Sequence, residues 1–214
     1  VSLLTCFFLS FSTMSEGHKE MTDPSSILPI RITSKIVKGF GRGSKELGIP
    51  TANLCRSSSS VDFDVLPTGI YWGFASVLKN DKDEITEESE HKSNGNKHNQ
   101  DKSSSVYKTA VSIGYNPTYG NTEKTVEPHF ISPPNHPSRT ASLCSETLLR
   151  DFYDDTIHLT VVGYLRPELP FEGLDKLIKA IKQDIVKAEL LCDGDDENTN
   201  RERIWAESFS SKNQ

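Results

Sequence analysis

Cysteine is scarce in this chain of 214 residues. The four cysteines, Cys6, Cys55, Cys144 and Cys192, are far apart, and no two of them have Cys-x-x-Cys spacing. This pattern excludes a dense disulfide framework and gives no structural zinc motif. Free thiols are typical of a reducing compartment, so we expect a cytoplasmic protein.

A long basic segment is also missing. The chain has 24 Lys and Arg residues against 30 Asp and Glu residues, which gives a formal net charge of −6. Nucleic-acid binders usually carry a basic patch that neutralises phosphates. We therefore expect no nucleic-acid partner.

The most apolar segment, residues 1–13, is too short to cross a bilayer as a helix. It has neither a positively charged start nor a clear signal cleavage site, and Met14 follows it. We interpret residues 1–13 as translated from upstream of the true start, and we expect no membrane partner. The alternative is a targeting peptide, which would make the protein secreted or membrane-tethered.

Only 35% of the residues are hydrophobic, which indicates one core diluted by polar segments. The composition divides the chain into an extension (1–28), a folded domain (29–192) with polar insertions (about 79–105 and 132–147), and a polar tail (193–214). In the tail, Trp205 and Phe209 are isolated aromatics that we expect to pack against the domain.

Hydrophobic patterns within the domain predict several strands and then one long helix. Five segments are rich in β-branched and aromatic residues, whereas residues 171–191 have the 3.6-residue period of an amphipathic helix. The strand segments are 30–37, 69–78, 106–117, 123–131 and 156–167. No strand–helix alternation occurs, which favours a small antiparallel barrel with a C-terminal helix.

The stretch "GFGRGSKELGIPTANL" (39–54) resembles a phosphate-binding loop but fits neither the Walker A nor the dinucleotide-binding pattern. Glycines allow a ligand to approach the backbone closely, and nearby cations suit an anion. These residues are Gly39, Gly41, Gly43, Arg42 and Lys45. From composition alone, a surface turn with incidental charge explains the loop equally well.

Thr51 and Asn53 follow this loop directly. In an extended segment, residues two apart project to the same side. A hydroxyl and an amide oxygen are hard ligands that suit Mg²⁺ together with phosphate oxygens and water. The alternative is a local turn after Pro50 in which both side chains bond the backbone.

Taken together, these motifs resemble the riboflavin kinase (flavokinase) family. The likeness includes the glycine loop with its Pro-Thr-Ala-Asn end and continues through "GIYWGFASV", "AVSIGYNPTYGNTEKTVEPHFI" and "DFYDDTIHLTVVGYLRPELPF". It covers about residues 30–191 apart from the insertions, and is greatest to the stand-alone eukaryotic type. It implies a closed six-stranded antiparallel, Greek-key-like barrel with a C-terminal helix, and phosphoryl transfer from ATP to riboflavin to give FMN and ADP.

The resemblance also implies roles for individual residues. Glu127 is the expected general base, and Thr51 and Asn53 are the expected ligands of Mg²⁺, with Zn²⁺ or Mn²⁺ as alternatives. The expected ATP-binding residues are Gly39, Gly41, Gly43, Lys45, Thr51, Phe130, Ser132 and Tyr153. The expected flavin-binding residues are Arg166, Leu174 and Leu177; for Arg166, a salt bridge to Glu168 or to the helix is the alternative.

Three residues around Glu127 qualify this assignment. Glu123 lies in the preceding turn, where we expect it to be exposed. Pro128 departs from the usual family pattern and predicts an edge or bulged strand, because proline has no amide donor. His129 has no partner histidine nearby in sequence, so we interpret it as structural, with a role as a metal ligand or base as the alternative.

Two readings of function thus remain: a kinase, which we expect to be a monomer, and a flavin- or nucleotide-binding barrel without catalysis. The joint presence of Thr51, Asn53 and Glu127 favours the kinase, because binding alone does not require all three.

Deletion of residues 82–102 is expected to leave both folding and activity intact, because this segment has almost no apolar side chains with which to contribute to a core. Soluble yield, thermal unfolding and FMN formation would be compared between the deleted and full chains. Loss of soluble protein would contradict the expectation.

Overall fold

The computed structural model describes residues 23–38, 51–79, 106–115, 123–132 and 152–210. Six strands form one antiparallel sheet: β1 (Ile30–Val37), β2 (Asn53–Leu54), β3 (Gly69–Leu78), β4 (Tyr107–Tyr115), β5 (Lys124–Phe130) and β6 (Thr156–Arg166). Helices α1 (Leu174–Cys192) and α2 (Glu197–Ser210) follow. The glycine loop and both polar insertions lie outside the described residues apart from their first or last positions.

The sheet closes almost completely on itself. Its strand order is β2-β1-β6-β3-β4-β5, so β2 and β5 are the two end strands. Thr51, just before β2, forms an isolated antiparallel bridge with His129 of β5, and the Ala52 amide donates to the Pro128 carbonyl at 3.0 Å. We call this contact between residues 51–52 and 128–129 the seam. The predicted six-stranded barrel is thus confirmed, with the seam as its closing contact.

Pro128 is accommodated because it faces the seam. Its carbonyl points to Ala52, and in a strand the amide and carbonyl of one residue point to the same side, so the missing donor does not interrupt pairing with β4. The β4–β5 register is continuous from Tyr115↔Lys124 to Thr109↔Phe130. The prediction of an edge strand is confirmed, and no bulge interrupts this pairing.

The barrel interior is filled by alternate residues of the strands. On β5, Val126 and Phe130 point inward, whereas Thr125, Glu127 and His129 are only partly buried. Each fully buried aliphatic or aromatic side chain stabilises the fold by about 1.5–3 kcal/mol. Others in this cluster are Ile32, Ile36, Leu54, Tyr71, Val111, Ile113, Ile157, Leu159 and Val161. The same alternation therefore builds the core and leaves the opposite face of β5 for polar residues.

A second apolar cluster lies between the sheet and the two helices. Trp72 and Phe74 project from the outer face of β3 and pack with Ala188 and Cys192 of α1. Strand β3 is thus buried on both faces, as its unbroken apolar sequence predicts. Gly73 lies between the two aromatics, where a β-carbon would collide with the Thr160 carbonyl of β6. The two helices therefore cover one side of the barrel. The outer face of β5 lies next to the side that they cover.

Helix α2 lies within the polar tail expected at 193–214, and the sequence analysis did not predict a helix there. Residues 197–210 are helical, and Asp196 caps the helix by accepting from the Thr199 amide at 3.0 Å. The expected packing of the tail aromatics is confirmed: Phe209 stacks on His158 at 3.7 Å, and Trp205 meets the same ring edge-on. Before β1, a short 3-10 helix over Pro24–Ile27 was also not predicted.

Glu202 anchors α2 to the barrel through a buried network. Its side chain is only 1% exposed and accepts from Arg31 at 2.9 and 3.1 Å and from Thr160 at 3.0 Å. Burial pushes the pKa of the Glu202 carboxyl up, but hydrogen bonds from Arg31, Arg201 and Thr160 outweigh it and leave the pKa below its usual value. The carboxylate is therefore bound in its charged form.

Replacement of Glu202 by Gln should lower the free energy of unfolding by about 1–3 kcal/mol at neutral pH, because it removes charge-assisted bonds to Arg31 and Thr160. Ile204→Ala, at an exposed position of α2, is the matched control and should change stability by less than about 0.5 kcal/mol. Urea denaturation measures both.

The cost of the Glu202 substitution should also depend on pH. Because the folded pKa is depressed, the stabilisation is present above the unfolded-state pKa of about 4.3 and is lost as the pH falls through the folded pKa. The stabilities of the two proteins should therefore converge in acid; a gap that is constant from pH 7 to pH 3 would contradict this account.

Candidate active site

The polar face of β5 and the segment 51–54 together form the candidate site. Thr125, Glu127 and His129 alternate with inward-facing residues of β5. Thr51 and Asn53 alternate in the same way with the buried residues Ala52 and Leu54. Since Thr51 pairs directly with His129, the two sets of side chains lie on the same outer face of the barrel. The predicted same-side projection of Thr51 and Asn53 agrees with this alternation.

Thr51 is bonded across the seam. Its Oγ1 lies 2.8 Å from Nδ1 of His129, within hydrogen-bonding distance. Burial lowers the pKa of His129 to about 4, with the nearby Asp184 charge acting in the opposite direction. The ring is therefore neutral near pH 7. His129 contacts a predicted site residue, whereas its sequence context had suggested a purely structural role.

Asn53 lies in a groove beside the seam. The groove has a volume of about 460 Å³ and is open to solvent. Lys124 and Thr125, at the start of β5, also line this groove, so Asn53 shares the space with the strand that carries Glu127. The lining residues are Val37, Lys38, Asn53, Leu54, Cys55, Arg56, Ser57, Phe63, Glu123, Lys124 and Thr125.

Glu127 is partly buried and held by one neighbour on its own strand. The Thr125 hydroxyl donates to Glu127 Oε1 at 3.0 Å. Burial raises the pKa of the Glu127 carboxyl above its ordinary value, and the bond from Thr125 partly offsets the rise. A carboxylate in this condition binds a proton more readily than an exposed one. Glu123, by contrast, is exposed as predicted.

A second carboxylate, Glu168, lies close to the same face. It packs against Gly114 of β4 so tightly that a β-carbon there would collide with both carboxylate oxygens. Burial raises the pKa of Glu168, helped by the negative charge of Glu127 and opposed by a hydrogen bond from the Tyr115 amide. Gly114 pairs with Thr125, the residue that is bonded to Glu127. Glu168 therefore lies near Glu127. The sequence indicates Glu168 only as an alternative salt-bridge partner of Arg166.

Arg166 joins the end of β6 to α1. Its Nε and one terminal nitrogen donate to the two oxygens of Asp184 at 2.9 and 2.6 Å, and the second terminal nitrogen donates to the Pro167 carbonyl. The guanidinium also lies over the Phe171 ring. The alternative of a salt bridge to the helix therefore matches this geometry. Two of the five guanidinium N–H groups are not used by these three bonds.

The predicted nucleotide residues of this region differ in exposure. The Phe130 ring is 1% exposed and packs edge-on against Tyr107 and Phe152, so it is a core residue. Ser132 is buried as well, whereas Tyr153 is 49% exposed and is not part of the core. Any contact of Phe130 with a ligand would therefore use its backbone.

Several predicted residues cannot be placed. Gly39, Gly41, Gly43 and Lys45 lie outside the described residues, as does the side chain of Leu174. Leu177 lies on α1 and is partly buried. Within the described part of the chain, no helix is long and apolar enough to cross a membrane.

Sequence comparisons with known proteins show the family of this chain. The family model described as Flavokinase (riboflavin kinase) matches residues 27–192. Riboflavin kinase of Yarrowia lipolytica is 34% identical over 195 residues, which cover 88% of this chain and 93% of that protein. Riboflavin kinase of Mus musculus is 38% identical over 167 residues, covering 78% and 83%. The structure of riboflavin kinase from Trypanosoma brucei is 19% identical, with a TM-score of 0.49 and coverage of 87% of this chain and 92% of that one. The chain therefore belongs to the riboflavin kinase family.

Proposed function

We propose that this chain is a riboflavin kinase that transfers the γ-phosphoryl group of ATP to the 5′-hydroxyl of riboflavin. A bond forms between the 5′-hydroxyl oxygen of riboflavin and the γ-phosphorus of ATP. The bond between that phosphorus and the β–γ bridging oxygen breaks, and FMN and ADP then leave. The observation that carries the proposal is the gathering of Thr51, Asn53 and Glu127 on the outer face beside the seam. Family membership over residues 27–192 supports the same reaction.

Thr51 and Asn53 fit a divalent cation by the chemistry of their donor atoms. Hydroxyl and amide oxygens are hard ligands that suit Mg²⁺ or Mn²⁺. Within the described residues, no group of three or more His, Cys, Asp or Glu side chains could hold a metal. Thr51 and Asn53 would hold Mg²⁺, whose charge, when it is bound, offsets that of the ATP phosphate oxygens.

Glu127 is the proposed general base, which takes the proton of the riboflavin 5′-hydroxyl as the oxygen attacks. Its pKa, raised by burial, brings the carboxylate closer to the acidity that proton transfer requires near neutral pH. The Thr125 hydroxyl keeps one carboxylate oxygen in a fixed direction and leaves the second oxygen for the substrate. Positioning of this kind is most of what phosphoryl transfer demands of a protein.

The flavin would bind toward α1, on the side where β6 ends. Arg166 is fixed there by Asp184, so its remaining N–H groups have a defined direction. Leu177 lies in the first turns of the same helix and supplies apolar surface. This arrangement suits an aromatic ring system with polar edges.

Replacement of Glu127 by Gln should lower FMN formation by about 10²–10⁴-fold, because the amide cannot accept the proton. Riboflavin binding, followed by quenching of flavin fluorescence, should change little. Product would be measured chromatographically with riboflavin and Mg-ATP, and Glu123→Gln, an exposed position four residues earlier, is the matched control.

Normal turnover by the Glu127 variant would contradict the role of this residue as the base. A wild-type protein that binds riboflavin but forms no FMN would instead favour a binding barrel without catalysis.

The acid limb of the pH profile should report Glu127. Activity should fall as the pH drops through its raised pKa, above the value of about 4.3 for an exposed glutamate. Thr125→Val removes the hydrogen bond that favours the charged carboxylate, so the limb should move to higher pH. Thr125→Ser keeps the hydroxyl and should leave the limb in place. The measurement is kcat/KM for riboflavin against pH; a limb unchanged in the Val variant would contradict the assignment.

A further inference from the structure

The hydrogen bond between Thr51 and His129 joins a proposed metal ligand to a residue with no role so far. Thr51 Oγ1 and His129 Nδ1 are 2.8 Å apart, and the two residues are direct partners across the seam. Neither side can shift freely. His129 is also paired with Ala110 of β4, and the neighbouring Ala52 amide is bonded to the Pro128 carbonyl.

This bond can be made in two ways, with different consequences for Thr51. If His129 carries its proton on Nδ1, it donates to the hydroxyl oxygen and occupies one of its two lone pairs. If the proton is on Nε2, Nδ1 accepts the hydroxyl proton, and this bond occupies neither lone pair of the oxygen. Only in the second arrangement does the bond to His129 not compete with a cation for those lone pairs.

We propose that His129 is a positioning residue: its Nδ1 accepts the Thr51 hydroxyl proton and turns the oxygen lone pairs toward the metal of the proposed site. This inference rests on the proposed function, in which Thr51 is a metal ligand. A hydroxyl bound to a divalent cation becomes a stronger hydrogen-bond donor. A fixed acceptor, such as Nδ1 of His129, therefore stabilises the metal-bound form of the hydroxyl. Such outer contacts commonly change metal affinity by about 10–100-fold.

The chain contains a matched pair at a place without site residues. Thr33 Oγ1 lies 2.9 Å from Nδ1 of His158, and the two residues are direct partners between β1 and β6. The His158 ring is stacked on Phe209 of α2. Substitutions at His158 therefore report what the loss of a Thr–His bond does to the barrel without touching the seam.

The first test uses the unmodified protein. Long-range ¹H–¹⁵N correlation spectra at neutral pH distinguish a histidine protonated on Nε2 from one protonated on Nδ1. We expect His129 to carry its proton on Nε2. A proton on Nδ1 of His129 would overturn the proposal, whatever the variants show.

The second test measures metal binding rather than turnover. Mn²⁺ binding in the presence of ADP would be titrated by electron paramagnetic resonance. His129→Leu removes the acceptor and should weaken binding by about 10–100-fold. His129→Asn places an amide oxygen near the former Nδ1 and should restore most of the affinity. His158→Leu should leave Mn²⁺ affinity unchanged.

Equal affinities in the wild type and His129→Leu would overturn the positioning role. Thr51→Val separates this failure from failure of the proposed metal site. If Thr51→Val weakens Mn²⁺ binding and His129→Leu does not, Thr51 is a ligand without help from His129. If Thr51→Val also has no effect, the metal role of Thr51 fails and the positioning role with it.

Discussion

The closure of the barrel at the seam is the contact on which the other features depend. Strand β2 is only two residues long and pairs with β1 through Ile36↔Leu54 and Val37↔Asn53. On the other side, the Thr51↔His129 bridge and the bond from Ala52 to Pro128 join the same segment to β5. Without this segment, β1 and β5 would be two open edges of the sheet. With it, the proposed ligands and the proposed base share one surface.

Burial gives this surface its chemical character. Burial raises the pKa values of both the Glu127 and the Glu168 carboxyls, and the charge of Glu127 adds to the rise at Glu168. Arg166 is one of the positive charges in this region, and it is bonded to Asp184 rather than to either glutamate. The ion pair thus fixes α1 against β6 while Glu127 keeps its affinity for a proton. A direct pair with Arg166 would lower the Glu127 pKa instead.

Hydrophobic patterns predicted five of the six strands and the first helix, but neither the two-residue strand β2 nor helix α2. Strand β3 was recognisable because ten successive residues are nearly all apolar, as two buried faces require. Helix α2 was missed because "ENTNRERIWAESFS" has little apolar periodicity; its stability comes from the Asp196 cap, the buried Glu202 and two aromatics that need a tertiary partner. The cap at Asp196 was a local signal that could have indicated the helix start.

The candidate site was predictable to a similar extent. The types and spacing of Thr51 and Asn53 indicated candidate metal ligands, whereas Glu127 was indicated only by the resemblance to the riboflavin kinase family. Their meeting at the seam, and the involvement of His129, depend on pairing between segments 78 residues apart, which no local pattern contains. Phe130 shows the reverse case, since a residue within a functional motif fills the core.

The shortness of the seam has a thermodynamic consequence for the whole protein. Among the described residues, few bonds close the barrel there, so a ligand held from both sides would act as a reversible cross-link between its two end strands. Any compound that binds only the closed barrel stabilises it by mass action, by about 2.7 kcal/mol at a concentration one hundred times its dissociation constant. Resistance to heat and proteolysis would then follow the supply of substrate, and the barrel would be most fragile when substrate is scarce.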